Sequence, residues 1–208
     1  MFLFEGPETA DHTILLAHGA GAAMDSAAMT AASAALAASG FRTARFEFAY
    51  MAARRADGPR RPPPKAELLM DEYRVAIAAL GAGPGLVIGG KSMGGRVASM
   101  IADPERDAGR VAGLLCLGYP FHPPGKPESL RTAHLEHLRT PALICQGTRD
   151  IFGNRDEVAG YRLSPAIELL WFEDGDHDLR PRKAISGFSV ADHMARLAQA
   201  ARSWAGRL

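Results

Sequence analysis

Short apolar runs alternate with longer amphipathic segments along most of this chain. Most of the runs are continuous, as in parallel strands buried on both faces, and the amphipathic segments repeat apolar residues at steps of three and four. The alternation predicts an α/β fold, with a mostly parallel, twisted sheet of about six to seven strands and helices on both faces. The predicted strands are 13–17, 41–48, 86–88, 111–117, 142–145 and 167–172.

Four helices are predicted from this pattern, each with a recognisable start or stop signal. They run from Asp25 as N-cap to Gly40, over 66–80, from Met93 to a stop before Pro104, and from Ser189, with Asp192 in capping-box spacing, to the C-terminus.

Composition narrows the class of protein. With 208 residues, 47% of them hydrophobic and 23% charged, the chain is expected to form one domain over 1–208, with no room for a large lid. A net charge of +1 gives no reason to expect nucleic acid as a partner. Neither a signal peptide nor an apolar run long enough for a membrane span is found, so a cytoplasmic protein without a membrane partner is expected.

Three local features complete this picture. The basic, proline-rich stretch 54–65 and the connector 119–140 are both predicted to be surface loops. Cys116 and Cys145 lie in apolar runs, where free cysteines behave as small buried hydrophobes.

The segment Gly90-Lys91-Ser92-Met93-Gly94 matches the nucleophile elbow, G-x-S-x-G. In that motif a sharp turn between a strand and a helix exposes the serine hydroxyl, and glycines flank it because side chains there would collide with neighbouring backbone. The pentapeptide alone is weak evidence. An apolar strand before it and a helix after it supply the required context.

The same segment also reads as a phosphate-binding loop, because 85–92 has the form G-x-x-x-x-G-K-S. A phosphate loop needs its strand before the first glycine, whereas here the intervening residues are themselves the predicted strand. A dinucleotide fingerprint at Gly19-Ala20-Gly21 fails as well, since Met24 occupies the third glycine position. The elbow is therefore the preferred interpretation.

A serine nucleophile needs a base and a group that orients the base. Asp150 follows the strand at 142–145 and His177 follows the strand at 167–172, so parallel strands would bring both to the edge that carries Ser92. Asp174 and Asp176 are fallback acids. As alternatives, Asp150 caps a short helix at 154–159 and His177 is an exposed turn residue.

The oxyanion formed by attack needs two preorganised donors, and the backbone N–H groups of Ala20 and Met93 hold the matching positions. His18 is predicted to brace the loop rather than to act chemically. The cations Lys91, Arg54 and Arg55 are candidates for attracting an anionic group of a small substrate.

No metal or cofactor is expected. His134 and His137 share a helical face but lack a third ligand, so both are predicted to be surface residues. The same surface position is predicted for His12, His122 and His193.

The whole chain resembles a small, lidless α/β-hydrolase-like family that includes bacterial dienelactone-hydrolase-like proteins and a subunit of the animal NSL chromatin complex. The resemblance rests on segments 16–22, 89–96, 118–127, 146–150 and 174–177. It implies an α/β-hydrolase fold with Ser92, Asp150 and His177 at the triad positions, but no substrate. True dienelactone hydrolases use a cysteine nucleophile, where this chain has Ser92.

Two functions are consistent with the sequence. The first is a serine esterase of small soluble ester-type substrates, working through an acyl-enzyme on Ser92. The second is a non-catalytic interaction module that keeps the fold, as the chromatin member of the family suggests. An intact triad favours the first, because an interaction module has no physical need for all three residues.

Overall fold

The computed structural model describes residues 1–56 and 62–208, and in this part of the chain seven strands form one sheet in the order β1-β3-β2-β4-β5-β6-β7. All neighbouring pairs are parallel except β1 and β3, which are antiparallel. The strands are β1 (Leu3–Glu5), β2 (Thr13–Ala17), β3 (Arg42–Phe46), β4 (Leu86–Lys91), β5 (Gly113–Leu117), β6 (Ala142–Gly147) and β7 (Ile167–Phe172).

Helices cover both faces of the sheet. On one face α1 packs against α7, and on the other α4 lies against β4 and β5 with α3 beside it. The helices are α1 (Ala27–Ala38), α2 (Ala49–Arg55), α3 (Met70–Leu80), α4 (Met93–Asp107), α5 (Arg155–Val158), α6 (Lys183–Ser186) and α7 (Val190–Ala205), with 3₁₀ turns at Ala66–Leu69 and Ala133–His137.

The sheet separates two hydrophobic clusters, because successive strand residues point to opposite faces. In β2, Leu15 and Ala17 enter the cluster under α3 and α4, whereas Ile14 and Leu16 enter the one under α1 and α7. The other central strands alternate in the same way. The continuous apolar runs of the sequence therefore reflect burial on both faces, which confirms the predicted fold class.

The strand predictions differ from the structure mainly at their ends. β2 and β7 have the predicted bounds, but β4 continues past residue 88 through Gly89, Gly90 and Lys91. β1 was not predicted, since three residues at an antiparallel edge are too few to show an alternating pattern.

Two helix boundaries were predicted wrongly. The N-cap of α1 is Ser26 rather than Asp25, whose carboxylate instead binds Arg55. Helix α4 does not stop before Pro104 but continues to Asp107. The turn that follows the proline is held by Glu105, which is buried and ion-paired with two arginines.

Both predicted surface loops need correction. The basic stretch begins inside α2, which contains Arg54 and Arg55, whereas Gly58, Arg60 and Arg61 lie outside the described residues. The connector 119–140 starts in the core rather than on the surface, because its first aromatic side chains, Tyr119 and Phe121, are fully buried. The prolines of the connector indicated an exposed loop, although these two aromatic side chains are buried.

Two other expectations concern burial and membranes. Cys116 and Cys145 are free thiols in the core, as predicted, and burial raises the pKa of each thiol above its usual value. Within residues 1–56 and 62–208, no helix has the length and apolar content needed to cross a bilayer.

Tyr73 of α3 fastens the two central strands to each other. Its hydroxyl lies 2.8 Å from the carbonyl oxygen of Leu15 in β2, and 2.7 Å and 2.9 Å from the carbonyl oxygen and the amide nitrogen of Gly89 in β4. The side chain is completely buried. One hydroxyl therefore serves backbone groups that no water can reach.

We expect Tyr73→Phe to lower the free energy of unfolding by about 1–3 kcal/mol, because buried backbone groups lose their partner. Tyr161→Phe is the matched control, since its buried hydroxyl has no hydrogen-bond partner among the described residues and its loss costs nothing in hydrogen bonding. Urea unfolding of both variants measures the difference. Equal midpoints for the two would contradict this role of Tyr73.

Candidate active site

Ser92 occupies the turn between β4 and α4. Its backbone has φ 51° and ψ −116°, a conformation that a residue with a side chain rarely adopts. The turn is fixed on both sides, because the Ser92 N–H donates to the carbonyl of Leu117 in β5 and the Ser92 carbonyl accepts from the Arg96 N–H in α4. The predicted strand, turn and helix are all present.

The glycines of the motif mark places where backbone crowds backbone. A Cβ at Gly90 would lie 2.3 Å from the carbonyl oxygen of Ala17, and one at Gly94 would lie 2.4 Å from the same atom. The predicted reason for both glycines is thus confirmed. Because Gly85-to-Gly90 spans a buried strand instead of an open loop, the phosphate-loop interpretation is excluded.

Asp150 and His177 meet beyond the carboxyl ends of β6 and β7. The His177 Nδ1 lies 2.8 Å from the Asp150 Oδ2, and the carboxylate is fully buried. Asp150 Oδ2 also accepts from the Gln146 side-chain amide at 3.0 Å, and Oδ1 accepts from the Phe152 N–H at 2.9 Å. Three donors therefore hold the carboxylate, which fixes the orientation of the imidazole.

A close approach of two loops brings this pair together. A Cβ at Gly147, at the end of β6, would lie 2.2 Å from the carbonyl oxygen of Gly175, so only glycine fits there. The Arg149 N–H donates to that same carbonyl, and the Asp174 N–H donates to the Thr148 hydroxyl. The loop after β6 and the loop after β7 are thus bonded along their length.

Neither fallback acid is hydrogen-bonded to the His177 ring. Asp174 is ion-paired with Arg182 and Arg149, and the hydrogen bonds from Arg182 lower its pKa to about 2. Asp176 accepts the N–H groups of residues 178 and 180 and closes its own turn. Of the three carboxylates, Asp150 alone is hydrogen-bonded to the imidazole.

Ser92 and His177 line one cavity of about 390 Å³, so the serine and the histidine open onto a common space. Within the described part of the chain, the Ser92 hydroxyl forms no hydrogen bond to His177 or to another side chain. Catalytic hydrogen bonds in ligand-free enzymes are often long and tighten when substrate binds. The Phe152 ring lies against the imidazole, with 4.2 Å between ring centres.

The residues predicted to supply the oxyanion donors lie close to Ser92. Ala20 and Met93 both line a cavity with the serine. Met93 opens α4, so its N–H has no acceptor within the helix. The Ala20 carbonyl accepts from the Tyr50 hydroxyl of α2 at 3.0 Å, which fixes the peptide that follows it.

His18 braces the loop that carries Ala20, as predicted. Its Nε2 accepts from the Phe48 N–H at 3.2 Å, so Nδ1 carries the proton and donates to the Gly19 carbonyl at 2.7 Å. Burial lowers the pKa of this imidazole and keeps it neutral.

The three cations predicted to attract an anion occupy different environments. Lys91 lines the cavity with Ser92 and His177, but its ammonium lies 3.4 Å from the Asp178 carboxylate, and burial lowers its pKa. Arg54 stacks over the Tyr50 ring. Arg55 is ion-paired with two carboxylates, those of Asp25 and Glu47. Neither arginine lines a cavity at Ser92.

Several of the remaining histidines are not surface residues as predicted. His122 and His193 are both 2% exposed, with Nδ1 hydrogen-bonded to backbone carbonyls. His134 is half-buried beside the Ser99 hydroxyl, and burial lowers its pKa to about 4. Only His137 is exposed as predicted, and His12 is half-buried. Among the described residues, no group of three or more potential ligands could hold a metal ion.

Two residues of the site were missed in the sequence. Gln146 ends a buried strand and is itself fully buried, so a polar residue closing an apolar run was the available signal. Phe152 lies on the loop after Asp150, and its packing on His177 depends on how the two loops meet. No local pattern could have identified it.

Comparisons with known proteins give the family and the fold. Residues 10–206 match the model of a family described as an alpha/beta hydrolase domain. The chain is similar to an alpha-beta serine hydrolase homologue from Coxiella burnetii (18% identity, 100% of this chain and 90% of that chain, TM-score 0.65). It is also similar to a dienelactone hydrolase from Anabaena variabilis (20% identity, 99% of this chain and 90% of that chain, TM-score 0.69). A third similar structure is an esterase domain from Rhodothermus marinus (16% identity, 98% of this chain and 91% of that chain, TM-score 0.61).

A glycine pair tests how tightly the histidine loop is held. Gly118 and Gly125 have φ of 63° and 70°, but a Cβ at Gly118 would lie 2.5 Å from the His177 carbonyl oxygen, whereas one at Gly125 meets open space. We expect Gly125→Ala to cost about 1–2 kcal/mol of unfolding free energy from backbone strain alone. Gly118→Ala should cost clearly more and shift the His177 ring resonances. If both variants lost the same unfolding free energy and the His177 resonances did not shift, the loop that carries His177 would not be rigidly held.

Proposed function

Because the chain belongs to the alpha/beta hydrolase domain family, we propose that it is a serine hydrolase of ester bonds, with Ser92 as nucleophile, His177 as base and Asp150 as orienting acid. The observation that carries this proposal is the buried Asp150–His177 hydrogen bond beside a serine held in a strained turn. Nucleophilic catalysis requires a base beside the nucleophile and a group that orients the base, and strained residues cluster at such sites.

The first half of the reaction forms an acyl-enzyme. The Ser92 Oγ attacks the ester carbonyl carbon while His177 Nε2 takes the hydroxyl proton, and the carbonyl π electrons move onto oxygen. The N–H groups of Ala20 and Met93 stabilise that oxyanion. When the carbonyl re-forms, the bond to the alkoxide breaks, and His177 gives its proton to the departing alcohol.

The second half regenerates the enzyme by the same groups. His177 takes a proton from water, the resulting nucleophile attacks the acyl-enzyme, and the acid leaves as Ser92 recovers its proton. During both halves the imidazole becomes cationic, and the carboxylate of Asp150, already bonded to Nδ1, stabilises that charge. The open cavities around Ser92 support a small soluble substrate.

A fluorophosphonate probe tests the nucleophile directly. We expect the probe to label the wild-type protein at Ser92 and to leave Ser92→Ala unlabelled, because only an activated serine displaces fluoride at a useful rate. Ser129→Ala, which removes an exposed hydroxyl, should label like wild type. Absence of labelling on the wild type would support the interaction-module alternative instead.

The acid is tested by an isosteric exchange. Asp150→Asn should lower kcat by about 10⁴-fold, since an amide favours the wrong imidazole tautomer. Asp176→Asn is the control and should stay within about tenfold of wild type. Steady-state hydrolysis of a short acyl ester measures both variants. If Asp176→Asn lowered kcat more than Asp150→Asn, Asp176 would be the acid instead of Asp150.

A further inference from the structure

A second cavity opens at Ser92, and His177 is not among its lining residues. Its volume is about 440 Å³, a size that suits a small ligand. It shares Ala20, Ser92 and Phe152 with the cavity that contains His177, so the serine lies between the two spaces. Among the described residues, its charged lining consists of three cations and one carboxylate, namely Lys65, Arg96, Arg131 and Glu67.

Arg131 lines this cavity with a charge that no ion pair compensates among the described residues. Its backbone is fixed, because its N–H donates to the Phe121 carbonyl and its own carbonyl accepts from the Tyr119 hydroxyl. Across residues 1–56 and 62–208, its half-buried guanidinium forms neither a hydrogen bond nor an ion pair. Burial lowers its pKa, and the neighbouring charge of Arg96 lowers it further. Two like charges close together favour an anion between them.

Arg96 is only partly satisfied by protein. Its Nη2 binds the Glu67 carboxylate at 2.7 Å, while its buried Nε has no partner among the described residues. The arginine side chain is 20% exposed and the glutamate 50% exposed. The half-exposed Glu67 carboxylate therefore faces both Arg96 and Arg131. Guanidinium N–H groups that Glu67 does not bind remain for a ligand.

The position of the base decides which half of an ester enters this cavity. His177 must protonate the departing alcohol, so the alcohol half has to lie in the 390 Å³ cavity that His177 lines. Met93, one of the two oxyanion donors, lines the other cavity. The acid half of the ester, which stays on Ser92 as the acyl group, therefore extends toward the two arginines.

We propose that the preferred substrates are esters of acids that carry a second anionic group, bound by Arg131 and Arg96. The inference rests on the proposed hydrolase function and specifies its substrate class. A carboxylate on the acyl chain would accept charge-assisted hydrogen bonds from the guanidinium groups, which bind carboxylates with matched planar geometry. The anion would remain on the product acid, so the products are an alcohol and a dianionic acid.

Three small esters test the assignment in a pH-stat, which measures the acid released. Monomethyl glutarate carries the anion on its acid half, the acetyl ester of 3-hydroxypropionate carries it on the alcohol half, and methyl hexanoate is neutral. We expect kcat/KM for monomethyl glutarate to exceed both others by about tenfold to a hundredfold. A rate no higher than that of either comparison ester would overturn the proposal.

The arginine is tested by Arg131→Gln, which should remove the preference for monomethyl glutarate over methyl hexanoate. Arg131→Lys should restore part of it, since the charge returns without the bidentate geometry. The matched control is Arg162→Gln, an exposed position outside both cavities that changes the net charge equally. An unchanged preference in Arg131→Gln would also overturn the proposal.

Fluorophosphonate labelling of each variant separates this outcome from a failure of the hydrolase proposal. Ser92 labelled without a preference for the glutarate ester removes the anion site and leaves the hydrolase. If Ser92 is not labelled and no ester is turned over, the hydrolase proposal fails, and the anion site fails with it.

Discussion

The hydrogen bond between Asp150 and His177 is the interaction on which the rest of the site depends. A carboxylate that is fully buried needs donors on its oxygens, and three groups supply them. Two of those donors are local, since the Gln146 amide lies near the end of β6 and the Phe152 N–H lies in the loop after it. The third comes from the loop after β7. Satisfying one buried charge therefore fixes the relative position of both loops.

The sheet and the nucleophile turn were largely predictable, because their signals are local. Apolar runs mark strands buried on both faces, and the glycines around Ser92 mark contacts that tolerate no Cβ. The burial of two aromatic residues in the connector 119–140 was not predictable in the same way. Tyr119 and Phe121 lie within a polar, proline-rich connector, and their place in the core follows only from the path of the chain.

Long-range charge pairing limited what the sequence could say about the site. Arg54 and Arg55 stand out in the sequence as adjacent cations, yet the charge of Arg55 is compensated by Asp25 and Glu47. Arg131 is inconspicuous in the sequence, and it reaches the cavity because its backbone bonds to Tyr119 and Phe121. The charge at a site depends on which cations lack an ion pair in the folded chain. The spacing of residues in the sequence does not show which cations these are.

Phe152 has two roles, because it binds the Asp150 carboxylate and also shapes the site. Phe152 lines both cavities and its ring packs on the imidazole, while its N–H holds the Asp150 carboxylate. A branched ligand that pushed the ring aside would strain the backbone that steadies the acid. In the proposed mechanism, poor steric fit would then weaken the base as well as the binding, so bulky esters that entered the site would be hydrolysed slowly.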